Sequence, residues 1–331
     1  MSKRVLVTGA GGFIAHHLIK YLKLRGYWVR GVDIKVPEYG QTAADEFHLL
    51  DLRRWPNCLE AARGVDHVYN LAANMGGIGF IETHKAEIVH DNILINIHML
   101  EAARSNGIAR FLYTSSACIY PGYKQNTTDV TPLKEEDAYP ADAEDGYGWE
   151  KLYTERACRH YHEDYGLNTF CVRFHNIFGP MGSYDGGREK SPAAICRKIA
   201  LANDNDIIDV WGDGNQTRSY CYIDDCVEGI YRLMCSECHD PLNLGQDRLI
   251  SINELVDIVA RIAGKHIRKA YDLTKPQGVR GRNSDNTKLR QVLDWEPQIT
   301  LEDGLDRTYR WIHDQLVQSE RIPIASQVAV G

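Results

Sequence analysis

The chain has 331 residues, 44% hydrophobic and 25% charged, with 11 prolines, a balance that fits a folded globular enzyme of about two domains and excludes the disordered and fibrous classes. A formal net charge of −7 leaves no basic face for a nucleic-acid backbone. No stretch approaches the roughly 20 apolar residues that span a bilayer, and Met1 to Arg4 run straight into a short strand pattern instead of a secretory leader, so a cytoplasmic protein with no membrane or nucleic-acid partner is expected.

In chain order, strand patterns over Arg4–Thr8, Trp28–Asp33, Phe47–Leu52, His67–Ala72, Arg110–Ser115 and Thr169–His175 alternate with helical periodicity. The helices fall over Phe13–Arg25, Pro56–Arg63, Glu87–Ser105 and Tyr147–Tyr165. Such alternation predicts an α/β fold, a Rossmann-like doubly wound parallel sheet covered by helices on both faces. Gly26, Gly107 and Gly166 follow three of the helices, where a left-handed cap favours glycine. After Gly179-Pro180 the alternation stops, and a glycine-rich charged loop runs from Ser183 to Lys190. Ser251 and Glu254 have capping-box spacing and open a helix to about Ala263, and Leu301–Leu316 is another. The boundaries expected are a Rossmann domain over 1–178 with 218–240 returning to it, a smaller C-terminal α/β substrate lobe from 179–217 and 241–320, and a frayed tail over 321–331.

Thr8-Gly9-Ala10-Gly11-Gly12-Phe13-Ile14-Ala15 follows the first strand and opens the first helix, the setting a dinucleotide fingerprint requires. Its glycines let the backbone approach a pyrophosphate, to which the helix N-terminus offers N–H groups. Asp33 ends the second strand about 20 residues on, where a carboxylate accepts from the adenosine ribose and repels a 2′-phosphate, so NAD is expected over NADP. Asp51 and Leu52, and Leu71, Ala72 and Ala73, stand at the ends of the third and fourth strands, the edge at which such a sheet binds its ligand.

Tyr147 and Lys151 lie four apart, on one face of their helix. A phenol near pKa 10 becomes a base when a neighbouring ammonium and the nicotinamide charge favour its phenolate; about 3 units of lowering needs roughly 4 kcal/mol. Ser116, in Thr114-Ser115-Ser116-Ala117-Cys118-Ile119-Tyr120-Pro121 at the end of the fifth strand, brings a hydroxyl toward the same alcohol. The nine cysteines are scattered and odd in number, which suits reduced thiols. Cys235-Ser236-Glu237-Cys238-His239 matches a haem-attachment spacing, but no second Cys or His pair with zinc spacing stands near it, and the segment is read as a helix end; no metal is expected. His175 is read as a structural histidine.

These residues resemble the extended short-chain dehydrogenase/reductase family of sugar-nucleotide epimerases and dehydratases over nearly the whole chain. The resemblance implies NAD at the N-terminal turn and catalysis by Tyr147, Lys151 and Ser116. Arg173–Pro180 resembles the family's substrate-binding Asn segment, and Trp211–Arg218 its nucleotide-lobe turn. Ala15 departs from the third glycine of many relatives, though alanine still permits close helix packing. Ser116-Ala117-Cys118 replaces the Thr-Asp-Glu of the dehydratases, which argues against dehydration, and a thiol has no part in simple 4-epimerisation.

Ser116-Ala117-Cys118, Met75–Phe80, Gly186–Lys190 and Gly278–Asp285 together resemble the branch of the family that inverts carbons 3 and 5 of GDP-mannose. That resemblance implies Cys118 and Lys190 as an acid/base pair, the thiolate taking a proton beside a 4-keto group and Lys190 returning one from the opposite face. It also implies Gly76, Ser116, Ala117, Asn176, Glu189, Lys198, Gln216, Arg218 and Arg280 around the sugar nucleotide, with Arg280 or Arg282 on the diphosphate. Relatives pair through two long helices, here near Glu87–Ser105 and Tyr147–Tyr165, which implies a homodimer. The alternatives are a sugar-nucleotide 4-epimerase, a 3,5-epimerase of another GDP-sugar, and an NAD-sensing regulator without turnover; the last has no need of Tyr147, Lys151, Cys118 and Lys190 together.

Overall fold

A computed structural model describes residues 3–322, so the tail from residue 323 lies outside the described residues. Alternation of side chains along the first strand, β1 (Arg4–Thr8), sets the architecture. Val5 and Val7 enter one core and Leu6 the other, as a period of two demands of a strand buried on both faces. The following strands are β2 (Trp28–Asp33), β3 (Glu46–Leu49), β4 (His67–Asn70), β5 (Arg110–Ser116) and β6 (Thr169–Phe174). A seventh, Leu242–Leu244, pairs with β6, giving a wholly parallel sheet in which β6, β5, β4, β1, β2 and β3 follow in order. That strand, just past the expected boundary at residue 241, pairs with β6 in the sheet.

The helices are α1 (Phe13–Leu24), α2 (Trp55–Ala61), α3 (Ile78–Thr83), α4 (Lys85–Ser105), α5 (Asp145–Tyr165), α6 (Ser191–Leu201), α7 (Ile223–Cys235), α8 (Ile252–Ala263), α9 (Thr287–Leu293) and α10 (Leu301–Gln318). One core buries Leu18, Ile19 and Leu22 of α1 and runs without a break into the lobe through Ile199, Val259 and Ile312. The other packs Met99 and Leu100 of α4 and Cys158 of α5 against Leu6, Phe111 and Tyr113. The three glycines expected as caps all have positive φ, and Gly166 closes α5 in the left-handed conformation. Ser251 and Glu254 form the expected capping box on α8. Three strand ends fall short of expectation, β3 at Leu49, β4 at Asn70 and, by one residue, β6 at Phe174, which leaves Asp51 and Leu71–Ala73 as connecting backbone at the sheet's carboxyl edge. Among the described residues no helix is long and apolar enough to cross a membrane.

β6 and α5 are locked by a buried ion pair. Arg173 donates to both Glu155 oxygens at 2.9 and 2.7 Å, and Ser115 donates to Glu155 at 2.5 Å. Both charged side chains are 3% exposed. Arg173→Met should therefore strand the Glu155 charge and cost about 3–5 kcal/mol in urea unfolding; a loss under about 1 kcal/mol would show that the pair does not hold the sheet to the helix.

Candidate active site

β1 and β4 are neighbours, yet β1 leads into a helix on one face and β4 into helices on the other, so a crevice opens between their carboxyl ends. The glycine turn crosses that crevice. Gly9 has φ +68°, and a Cβ on Gly11 would lie 2.3 Å from the Lys35 carbonyl oxygen. Gly11 N–H donates to Asp33 at 2.8 Å, Lys35 N–H donates to the other Asp33 oxygen at 3.1 Å, and Gly12 begins α1 with no side-chain cap. A glycine-rich turn under an uncapped helix N-terminus fits a pyrophosphate. Phe13 and Ile14 form the first turn of α1. The Thr8 hydroxyl accepts from Leu71 and Ala72 N–H, each at 3.0 Å, and donates to Asn70, which fixes the segment through Ala73 beside the turn. Asp51 pairs with Arg53 at 2.9 Å, which holds its carboxyl below the usual range, and Leu52 is buried in the core.

The chemical groups gather where β5 ends. Ser116 gives way to a short turn over Ala117–Ile119, against which the start of α5 packs closely. Glu144 N–H donates to the Cys118 carbonyl at 2.8 Å, and a Cβ on Gly148 would stand 2.2 Å from that same oxygen. Tyr147 is buried beside Ser116, whose hydroxyl accepts from Cys118 N–H at 3.2 Å. Lys151 is 2% exposed; its amine donates to the Thr114 carbonyl at 3.3 Å, lies 3.5 Å from Glu150 and stands 5.4 Å from the Tyr147 ring centre. Glu150 accepts from Asn92 at 2.8 Å and Asn96 at 3.4 Å.

Burial pushes the Tyr147 phenol well above its ordinary value, Cys118 and Glu150 push the same way, and only the Ser116 hydroxyl opposes them. Glu150 lies 3.5 Å from the Lys151 amine.

Lys190 precedes α6 at the end of the glycine-rich loop. That loop is held on the segment before α3: Gly77 N–H donates to the Arg188 carbonyl at 3.1 Å, and a Cβ on Gly77 would meet the Glu189 carbonyl at 2.5 Å. Lys190 is open to solvent yet surrounded by protein, as a group lining a cleft is. Burial pulls its amine down, and the nearby Cys118 partly opposes this. The half-buried Cys118 thiol is pushed up by burial and by Glu144, against the pull of Arg282. Both groups move toward their neutral forms, not toward the thiolate and ammonium that the resemblance implies.

The other expected residues divide. Gly76 packs on Phe80, Ala117 is buried, and Asn176, at φ 45°, donates to the Ser219 carbonyl at 2.9 Å. Gln216 donates to the Trp211 carbonyl at 2.9 Å, and its buried oxygen has no partner among the described residues, an acceptor that fits a ligand donor. Arg218 donates to the carbonyls of Thr217 and Gln277, and burial together with Arg282 lowers its guanidinium to about 10. Glu189 is engaged by Gly187 N–H and Arg197, Lys198 by Asp209 at 2.8 Å, and Arg280 by both Asp213 oxygens at 3.1 and 3.0 Å. Arg282, weighed with Arg280 for the diphosphate, is instead 6% exposed and held at the thiol by Gln125 and Glu144.

Glu144, Gln125, Glu150, Asn92 and Asn96 escaped the sequence reading. Glu150 had a signal, since it sits inside the Tyr147–Lys151 motif; the partners of Arg282 had none. His175 is fully buried on Asn243 at 3.0 Å and pushed down to about 3 by burial. Cys235 closes α7, His239 stacks on His162 with ring centres 4.2 Å apart, and all nine cysteines are free.

The sequence profile of the NAD dependent epimerase/dehydratase family matches residues 5–245. The chain is 49% identical over 315 residues to an Arabidopsis thaliana protein named GDP-mannose 3,5-epimerase, covering 95% of this chain and 83% of that one. It is likewise 49% identical to GDP-mannose 3,5-epimerase 1 of Oryza sativa subsp. japonica, over 95% of this chain and 82% of the relative. Among solved structures, UDP-glucose 4-epimerase of Thermotoga maritima with UDP-glucose superposes with a TM-score of 0.86 at 25% identity, covering 95% of this chain and 99% of that one.

The turn yields a direct test. Gly11→Ala is expected to fold but to lose about tenfold or more in NAD affinity by titration calorimetry, equivalent to at least about 1.4 kcal/mol; affinity equal to the parent would remove the turn from the cofactor site.

Proposed function

The chain belongs to the NAD-dependent epimerase/dehydratase family, and from that membership we propose that it epimerises GDP-mannose at carbons 3 and 5. The products are GDP-L-galactose and, where carbon 5 alone is inverted, GDP-L-gulose. One observation carries the reading: Cys118 packs against the cluster that holds Tyr147, beside Ser116, and Lys190 lies near enough for the thiol to act on its charge, so a second acid/base pair is available. Inversion at carbon 4 alone has no use for it. The 49% identity to a GDP-mannose 3,5-epimerase supports the same substrate.

Gly9, Gly11, Gly12 and Asp33 would hold the dinucleotide, which when bound supplies reversible hydride removal at carbon 4 with no net redox change. Tyr147, oriented by Ser116 and flanked by Lys151, takes the proton of the 4-hydroxyl and returns it. A ketone at carbon 4 acidifies the hydrogens on carbons 3 and 5. Cys118 removes a proton and Lys190 delivers one from the opposite face. The resting neutral forms serve this division: transfer of the thiol proton to the Lys190 amine creates the base and the acid together. The partly engaged cations Arg218, Lys198 and Arg280, with Asn176 and Gln216, line the path of the nucleotide.

The decisive experiment is proton NMR with GDP-mannose in deuterated water. Deuterium at carbons 3 and 5 with new product signals is the expected result; Cys118→Ala should abolish both while NAD content stays unchanged. Full epimerisation by Cys118→Ala would remove the thiol from the mechanism, and no exchange by the NAD-loaded parent would redirect the assignment to another sugar nucleotide.

We also propose a cytoplasmic homodimer. Reduced thiols, which the reaction requires, persist in that compartment. Trp149 and Tyr153 lie one turn apart on α5, 48% and 53% exposed, an aromatic stripe suited to a helix-to-helix interface. Light scattering should give twice the monomer mass, reduced to one by the double substitution Trp149→Glu and Tyr153→Glu; a monomeric parent would overturn the pairing.

A further inference from the structure

Cys118 has a charged partner that neither the resemblance nor the known chemistry of the reaction assigns. Arg282 Nη1 lies 3.5 Å from Cys118 Sγ, its Nη2 donates to Glu144 at 2.7 Å, and its Nε donates to Gln125 at 2.6 Å. The Glu144 carboxylate stands near enough to the thiol to push it toward its protonated form. Glu144 also fixes the backbone beneath, through its N–H on the Cys118 carbonyl at 2.8 Å. Sulfur, guanidinium and carboxylate thus form a triangle, joined through the guanidinium, at the junction of the β5 turn, the start of α5 and the lobe strand Gly281–Arg282.

We propose that Glu144 is a positioning residue for the thiol: it aims the Arg282 guanidinium at Cys118 and holds the proton on sulfur in the resting enzyme. The inference rests on the acid/base role given to Cys118 above. The groups that face the thiol are Ser116 from its own turn, Glu144 and Tyr147 from α5, Arg282 from the lobe and Lys190 before α6, with Arg218 beyond Arg282. Two of these act directly and oppositely on the sulfur. The Glu144 charge disfavours a thiolate, and the Arg282 charge favours it. When the thiol ionises, its S–H bond breaks and an N–H bond forms on Lys190, so no proton is lost; the new sulfur charge faces Arg282, whose direction Glu144 has already set. Until then the protonated sulfur is a poor nucleophile, guarded from alkylation and oxidation.

The test measures Cys118 alkylation by iodoacetamide against pH, located by peptide mass spectrometry in the NAD-containing enzyme, alongside the pH dependence of kcat/KM for GDP-mannose. Glu144→Gln keeps the shape and removes the charge. It should lower the alkylation midpoint by about one pH unit, close to tenfold faster at neutral pH, and move the rising limb of kcat/KM down by the same interval with KM within about twofold. Arg282→Gln, its opposite, should raise the alkylation midpoint, and Glu144→Asp should restore the parental profile in part. An unchanged alkylation midpoint in Glu144→Gln overturns the proposal. A shifted midpoint with an unmoved kcat/KM limb also overturns it, by separating the triangle from turnover. If the parent enzyme does not turn over GDP-mannose, the proposed reaction fails, while the alkylation profiles still decide whether Glu144 holds the proton on Cys118.

Discussion

The site depends on one close backbone contact, between the turn that ends β5 and the first turn of α5. The Cys118 carbonyl receives the Glu144 N–H at 2.8 Å and leaves no room for a side chain at Gly148. Glycine at that position permits the approach, and the approach brings Ser116 and Cys118 from a strand end onto the face of α5 that carries Tyr147 and Lys151. A methyl group there would have to displace main chain, because the nearest obstacle is a carbonyl and not a movable side chain. The rest of α5 is anchored by the Arg173–Glu155 pair, so the contact joins two rigid elements and the reacting groups inherit their fixed spacing.

Within that frame the protein offsets its cations with its own carboxylates. Glu150 lies against Lys151, Glu144 against Arg282, Asp213 against Arg280 and Asp209 against Lys198. At the buried Lys151 and Arg282 an unpaired charge would be costly, and their carboxylate partners limit that cost. At Tyr147 and Cys118 burial decides, and burial favours the neutral phenol and the neutral thiol.

Much of this was legible in the sequence because it is local. The glycine turn, the strand and helix periods, the capping box at Ser251 and the four-residue spacing of Tyr147 and Lys151 each depend on residues within a few turns of one another. Strand ends were less legible: β4 stops at Asn70 because Leu71 and Ala72 give their N–H groups to the Thr8 hydroxyl, a partner far away in sequence. Leu242–Leu244, three residues long, is too short to show a period. Arg282 and Glu144 are 138 positions apart, and nothing in the short Gly278–Asp285 segment says that one arginine turns to the thiol and the other to Asp213. The glycines around them enforce close packing, which a sequence displays only as composition.

Under the proposed reaction, the same pairings distinguish the cations that could receive a diphosphate. Of Lys198, Arg218, Arg280 and Arg282, Arg218 alone has no carboxylate ion pair among the described residues; its contacts are the carbonyls of Thr217 and Gln277. Burial and the neighbouring Arg282 both disfavour its charge, so an entering anion relieves an existing penalty there. At Lys198 and Arg280 the same anion must compete with Asp209 and Asp213. Arg282 is committed to the thiol. Under that reaction the pairings favour Arg218 as the principal electrostatic anchor for a diphosphate, with Arg280 joining only as Asp213 yields.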